Sequence, residues 1–444
     1  RHPYDMTLKI GADANGRFTG LLAEMYVNKG AYFIMGGLTI QRSLSMLSSA
    51  YRFPNVLADC KLVYTTNASG AAARGAGPPQ SNFGLESIID MLAEKVGMDK
   101  LAFRKLNSLK PGEPRSTGTT VSQWEFPEIC DAIQPHWDRA KKDAAAFNKK
   151  NSKLKRGVGL GVHAFGIGGP GDQGHVEVEI KPDDTVIIFG AIADPGEGND
   201  AMLTQIAAYV LGIPQNKIIL ETRDTKKTIA MGPAAGSRMT YMGGGSLQLA
   251  MEQLKKAMDE AGGKTYAALK KAGKPTRYIG EKKNKEGKTD PKTGQGSNSA
   301  SIVHNIQMAE VEVDTGTGDV KVLKMTTAVD AGVIINPQSA EGQLEGGMDQ
   351  GIGFALREEY IHGKTNDWKT FKFPTIEMMP ETEIIFRETP RPTGTLGATG
   401  IGEMTMISTA PSITNAIYNA CGVRINHLPA TPDKVKKGLA ELKK

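Results

Sequence analysis

GTLGATGIGEMTMISTAPSITNAIYNACG, residues 394–422, sets one carboxylate, Glu403, behind four glycines and ahead of an apolar, hydroxyl-rich run. A lone carboxylate in apolar surroundings is costly unless it is paired, protonated or used in chemistry. The same stretch carries helix punctuation. Thr409 is a candidate cap, Pro411 falls in the first turn and Gly422 is a stop. A glycine loop bearing one acid is therefore expected to lead straight into a helix.

Working outward, helices and strands are mixed without regular alternation, which predicts an α+β fold. AEVEVDTGTGDVKVLKMTTAVD reads as a hairpin and SAEGQLEGGMDQGIGFALREE as a glycine-interrupted helix. NDAMLTQIAAYVLGIP reads as a helix opening at Asn199 and closing at Gly212. GGGSLQLAMEQLKKAMDEAG, WEFPEICDAIQPHWDRAKKDAAAFNKK and the segment from Ser81 carry further helical spacing, the last punctuated at Gly97 to Asp99. Residues 1–70 read as strands and turns. KPGEPRSTGTT is the best domain boundary, so domains are expected at 1–118 and 119–444.

The bulk numbers narrow the class. A chain of 444 residues with 39% hydrophobic and 23% charged residues suits a soluble two- or three-domain protein. No run reaches the ~18 apolar residues of a membrane span. Cys60, Cys130 and Cys421 are far apart, against a disulfide scaffold, a zinc site or a self-contained iron–sulfur cluster. The lysines of EKKNKEGKTDPKTGQGSNS, residues 281–299, read as a solvated loop. Nucleic-acid binding would want them on a folded face with aromatic residues, so no nucleic-acid partner is expected. RHPYDMTLKIGADANGRFTG reads as strand, turn and strand inside a domain rather than as a leader, so a longer protein or a split subunit is expected. The expected compartment is the cytoplasm, with the periplasm left open.

Glycine is abundant, at 52 residues against a usual ~7% of a chain, and it clusters. GIGGPG at 166–171 matches G-x-G-x-x-G, but the strand pattern GHVEVEI follows where a dinucleotide fingerprint needs a helix. On that strand His175, Glu177 and Glu179 share a face and read as a polar sheet surface. Four other segments set bare backbone beside one polar side chain. They are AAARGAGPPQ (Arg74), DPGEGND (Glu197), GPAAGSRMTY (Ser237) and EGGMDQGIG (Gln350). Some lead into helices, whose N-termini attract anions. With the Glu403 loop they suggest an elongated hydrogen-bonding ligand wrapped by several segments.

Together these segments resemble the molybdenum-binding region of the xanthine oxidase family of molybdenum hydroxylases, and most of all its bacterial aldehyde oxidoreductases. RGAGPPQ resembles the arginine loop under the molybdenum. DPGEGND resembles the glycine–glutamine–glycine loop on the pterin, and GPAAGSR the loop on the dinucleotide phosphates. VDAGVIINPQSAEGQLEGGMDQGIGFAL resembles the signature ending in a cofactor-contacting glutamine, and GATGIGEMTMISTAPSITNAI the segment with the catalytic glutamate. The resemblance implies two mixed α/β domains with the cofactor between them. It implies Glu403 as the catalytic base. Arg74, Gly75, Gly196, Glu197, Gly198, Ala235, Gly236, Ser237, Gln350 and Gly402 become cofactor-binding residues. The cofactor is molybdopterin, as the cytosine dinucleotide, with molybdenum held by the pterin dithiolene and not by side chains.

The implied reaction oxidises a small aldehyde to a carboxylic acid with water as the oxygen source. The implied partners are an upstream segment or subunit bearing 2Fe-2S clusters, an electron acceptor protein, and a second copy of the full enzyme in a homodimer. This sequence departs from the family at three places. Glu197 stands where glutamine is expected, Ala76 where a bulky residue is usual, and the family's glycine–phenylalanine–glycine loop is missing. Two other readings fit the residues: a non-redox glycine-rich ligand-binding protein, or a hydrolase pairing Glu403 with Asp349 or Glu197.

Overall fold

The computed structural model describes residues 1–285, 287, 289, 290 and 292–442. Three sheets organise these residues. The first is β1 (Tyr4–Ala12), β2 (Phe18–Gly30) and β3 (Val56–Tyr64), in that order, with β1 and β2 antiparallel and β2 and β3 parallel. Its residues alternate as a half-buried sheet requires. Leu21, Ala23, Met25 and Val27 face the core while Leu22, Glu24 and Tyr26 face out. The Pro78–Val96 helix packs on it.

The central sheet contains β4 (Leu154–Ile167), β9 (Ser301–Asp314), β10 (Val320–Asp330) and β11 (Glu381–Arg387), in the order β11-β10-β9-β4. The third contains β5 (Gln173–Ile180), β6 (Val186–Phe189), β7 (Ile218–Glu221) and β8 (Arg277–Lys283), in the order β7-β6-β5-β8. The Asn199–Leu211 and Gly245–Glu260 helices bury Leu203, Ile206, Leu247 and Met251 with Val176, Val178 and Ile188 of that sheet. This mixture is an α+β fold.

β4 explains how the Glu403 segment is placed. Its residues alternate glycine with large apolar groups. Val158, Leu160 and Val162 join a core with Ile133 and Trp137 of the Phe126–Lys150 helix. Gly157, Gly159 and Gly161 face the Thr409–Cys421 helix so closely that an added Cβ would meet Ala416 O at 2.1 Å, Ala416 N at 2.2 Å and Ser408 O at 2.2 Å. A buried charge network fixes the same helix from the other side. The Arg104 guanidinium lies 2.9 Å from Glu86 and 3.4 Å from Asp90. The Tyr51 hydroxyl donates to Glu86 (2.6 Å), and Asn415 donates to the Glu86 carbonyl (3.3 Å).

Several local expectations need correction. Residues 1–70 hold a helix, Gly36–Ser45, which opens on two glycines and so has no apolar start signal. Thr409 is not a cap. A short Met404–Ile407 turn runs into the helix through Ser408, and Thr409 donates its hydroxyl to Gln307 (2.7 Å). Gly422, in the left-handed region at φ 79, does stop the helix. Within the lysine-rich segment, residues 281–283 finish β8 and Asn284 is buried, donating to the Gly169 carbonyl (3.1 Å). Glu286, Lys288 and Pro291 of that segment lie outside the described residues. His175, Glu177 and Glu179 share the polar face of β5, paired with Glu281, Arg277 and Lys181 respectively. Among the described residues no helix is long and apolar enough to cross a membrane.

Candidate active site

Glycine loops from four parts of the chain converge at the start of the Met404 turn. The Arg74 loop turns through Gly75, Ala76 and Gly77, all at positive φ, into the Pro78–Val96 helix. Gly77 is required there, because a Cβ would meet Thr39 O at 2.3 Å and φ is 108. The Arg74 guanidinium spans the site. Its Nε donates to Gly402 O (2.5 Å), and its Nη2 donates to Gln343 O (3.0 Å) and Gln343 Oε1 (2.9 Å). One side chain thus ties its own loop to the Glu403 loop and to the Pro337–Leu356 helix.

The GPAAGSR loop approaches from the other side. Ser237, held at φ 57, accepts the Glu403 backbone N–H on its Oγ (2.8 Å). Arg238 braces this loop, with Nη2 and Nε donating to Asp172 at 2.6 and 2.9 Å and Nη1 donating to the Met231 carbonyl (2.8 Å). The DPGEGND loop is organised by Asp194, whose carboxylate accepts the N–H groups of Gly196 (2.9 Å), Gly198 (3.1 Å) and Asp200 (3.1 Å). That corrects the expectation of a free anion site. Asp194 already takes the N–H groups of Gly196, Gly198 and Asp200, and this loop offers the cavity the Glu197 side chain.

Glu403 is the junction of two cavities. One, of about 530 Å³, is lined by Arg74, Glu197, Ser237, Gln343 and Glu403 with bare backbone between them. The other, of about 490 Å³, is lined by Leu38, Arg42, Ala76, Met231, Pro233 and Glu403. Each lies within the usual ~300–1,000 Å³ of a small-molecule site. Arg42 Nη1 lies 3.3 Å from Glu403 Oε2, with the two side chains 20% and 16% exposed, so the pair is largely shielded from water. Burial pushes the Glu403 carboxyl above its ordinary pKa, while Arg42, the Gly75 N–H and Arg74 pull it down. Arg42 also lies over the Phe165 ring, 5.2 Å from its centroid.

Of the residues read from the sequence, Arg74, Gly196, Glu197, Ala235, Gly236, Ser237, Gly402 and Glu403 line one cavity. Gly75 flanks it through its N–H to Glu403, and Gly198 lines a small side pocket that shares Glu197. Gln350 lines neither cavity. Gln343, two turns nearer the start of the same helix, is the glutamine that faces the site. Asp349 is likewise absent from both linings. Sequence reasoning missed Arg42, Gln343 and Arg238. Arg42 is the one cation in the run LTIQRSLSM, which was its only signal.

The larger cavity suits molybdopterin. It offers glycine and alanine backbone for close approach, a guanidinium and a serine hydroxyl for polar and anionic groups, and no cysteine or histidine in its lining. A metal bound there would bring its own ligands. Family models described as molybdopterin cofactor-binding domain match residues 1–108 and 132–380. The chain belongs to the xanthine oxidase family of molybdenum hydroxylases. This molybdenum-hydroxylase chain is 35% identical to an aldehyde oxidoreductase of Megalodesulfovibrio gigas over 452 residues, 99% of this chain and 49% of that protein. A xanthine dehydrogenase molybdenum-binding subunit of Escherichia coli is 27% identical over 471 residues, 98% of this chain and 62% of that protein. The solved aldehyde oxidoreductase from Desulfovibrio gigas superposes with a TM-score of 0.95 at 34% identity, over 99% of this chain and 49% of that one. The chain thus spans about half the length of the aldehyde oxidoreductases it matches.

Proposed function

We propose that this chain is the molybdenum-binding part of an enzyme that oxidises aldehydes to carboxylic acids, with water as the source of the added oxygen. The observation that carries this reading is Glu403, a shielded carboxylate where a polar, backbone-lined cavity meets a more apolar one. Arg74, Gly75, Gly196, Glu197, Gly198, Ala235, Gly236, Ser237 and Gly402 would hold molybdopterin in the first cavity, in its cytosine dinucleotide form. Gln343 takes the place first assigned to Gln350. When bound, this group supplies the two-electron redox chemistry.

The chain's own residues do the rest. The second cavity admits the aldehyde along Leu38, Met231 and Pro233, and the small Ala76 leaves it room. Glu403 takes the proton of the water-derived oxygen as it adds to the aldehyde carbon, and the electron pair of the aldehyde C–H bond would pass to the bound cofactor. Arg42 opposes the rise that burial imposes on that carboxyl's pKa and so favours its ionised form, and Ser237 fixes its backbone. 2Fe-2S clusters on an upstream segment or partner subunit would pass the two electrons to an electron acceptor protein, and the assembled enzyme would be a homodimer. Residues 1–118 complete a first molybdenum-binding domain and residues 119–444 form a second. The gap between the family-model matches, from 108 to 132, supports that division.

The test is aldehyde oxidation by the full-length enzyme in ¹⁸O-labelled water. At least one labelled oxygen is expected in each acid formed, with any second label matching the exchange of the aldehyde carbonyl with water, and no acid without an electron acceptor. No acid formed from the aldehyde even with an acceptor, alongside cleavage of a glycoside or ester, would favour the hydrolase reading.

Two variants probe the roles assigned here. Arg74→Ala removes hydrogen bonds to charged or anionic groups, each worth ~1.5–3 kcal/mol, so cofactor affinity should fall roughly 10- to 100-fold. Molybdenum and pterin content after gel filtration reads this directly. Turnover per bound molybdenum should fall less. Arg42→Met removes the cation that lowers the Glu403 pKa. A base works only when ionised, so activity is lost as pH falls through its pKa. Raising that pKa should move the acid limb of the kcat/KM profile to higher pH, and an unmoved limb would contradict the assignment.

A further inference from the structure

Glu197 has an environment unlike that of the other carboxylates around the cavity. Asn199 donates its side-chain amide to one Glu197 oxygen. The N–H groups of its own loop are directed at Asp194. Arg74, the cation across the cavity, spends its Nε and Nη2 on Gly402 and Gln343. Among the described residues Glu197 makes no ion pair, whereas Glu403 has Arg42, Asp172 has Arg238 and Asp200 has Arg223. The charged groups that face it are Asp194 on its own loop and Arg74 and Glu403 across the cavity. The Pro337–Leu356 helix brings only neutral Ser339 and Gln343 to this wall. Glu403 thus has Arg42 as its own partner, whereas the cation facing Glu197 is Arg74, whose hydrogen bonds are largely spoken for.

Resting on the molybdopterin reading above, we propose that Glu197 binds that group as a neutral carboxylic acid. One oxygen accepts from Asn199, and the other donates its O–H to an anionic or oxo acceptor on the cofactor. A neutral acid presents the same acceptor–donor pair as an amide, which accounts for an acid at a position where glutamine is expected. Burial, helped by Asp194 and Glu403, raises the Glu197 pKa, against the Asn199 amide and Arg74. The sign follows from the proton. The bound state needs it, so retention is full while the carboxyl is protonated and is lost as pH rises through the raised pKa.

The test uses the full-length, loaded enzyme. Molybdenum and pterin remaining after dilution and gel filtration are measured from pH 6 to pH 9, for wild type, Glu197→Gln and Glu197→Ala. Wild-type cofactor affinity should fall about tenfold per pH unit once the carboxyl of the unloaded site ionises, because the lost proton is one linked site. Glu197→Gln keeps the donor without titrating, so its retention should be flat over this range and at least equal to wild type. Glu197→Ala should retain less at every pH. Glu403 is present in all three proteins, so a loss of retention with pH that wild type shows and Glu197→Gln lacks belongs to Glu197. Identical pH profiles for those two would overturn the proposal. So would tighter retention by wild type at high pH, which would mean an ionised carboxylate accepting from pterin N–H groups. Wild type lacking both molybdenum and pterin at every pH would bring down the molybdopterin reading itself, and this proposal with it.

Discussion

Glu403→Gln should lower aldehyde turnover by about 10²- to 10⁴-fold, the usual loss when a positioned general base is removed. The swap keeps size and one hydrogen-bond acceptor for Arg42 but cannot take a proton. Cofactor content should stay near normal, because Arg74 grips Gly402 and Gln343, and Ser237 grips the backbone of residue 403, all independently of this side chain's charge. Molybdenum content, melting temperature and turnover measured on one preparation separate the possible roles. If the carboxylate only holds the loop together, stability falls while turnover per loaded molecule stays within a few-fold of wild type. Normal turnover at full loading would rule it out as the base.

Gly159→Val should prevent the site from assembling. A Cβ at residue 159 would lie 2.2 Å from Ala416 N and 2.3 Å from Ser412 O. Both are backbone atoms of the helix that follows Glu403, so no side chain can move aside. Overpacking a filled core costs ~1–3 kcal/mol and sometimes more. A branched side chain against helix backbone belongs at or beyond the top of that range. The helix can be relieved only by lifting off β4, which would carry the Met404 turn and Glu403 away from Arg42 and Ser237. The expected result is a melting temperature at least several degrees lower, or insoluble protein, with molybdenum loading lost in whatever folds. Gly169→Ala is the matched control. Nothing lies within 4 Å of its Cβ position, so it should behave as wild type.

The alternation of Gly157, Gly159 and Gly161 with Val158, Leu160 and Val162 marks β4 as a strand in the sequence. Which helix required the glycines was not legible, because the Thr409–Cys421 helix lies more than two hundred residues away and no local pattern encodes that contact. Elements with their own punctuation were readable. Asn199–Leu211 closes on Gly212 in the left-handed region, and Lys100–Leu106 opens on Asp99, whose carboxylate accepts the N–H groups of Leu101 and Ala102. The Gly36–Ser45 helix lacked such signals and was missed.

The same division holds in the site. The glycine loops stood out because close backbone approach leaves a compositional trace. Arg42 did not, since its meaning comes from a carboxylate at the far end of the chain. Gln350 and Gln343 lie on one helix pattern, and only the packing of that helix against Arg74 decides which of them faces the cavity.

The central claim is that the cavity bounded by Arg74, Glu197, Ser237 and Glu403 holds a molybdenum-bearing pterin. Anomalous scattering at the molybdenum edge from crystals of the full-length enzyme tests it most directly. A single strong peak inside that cavity, within reach of the Glu403 carboxylate, is the predicted result. A loaded enzyme whose peak lies elsewhere, or purified protein without molybdenum or pterin, would contradict it.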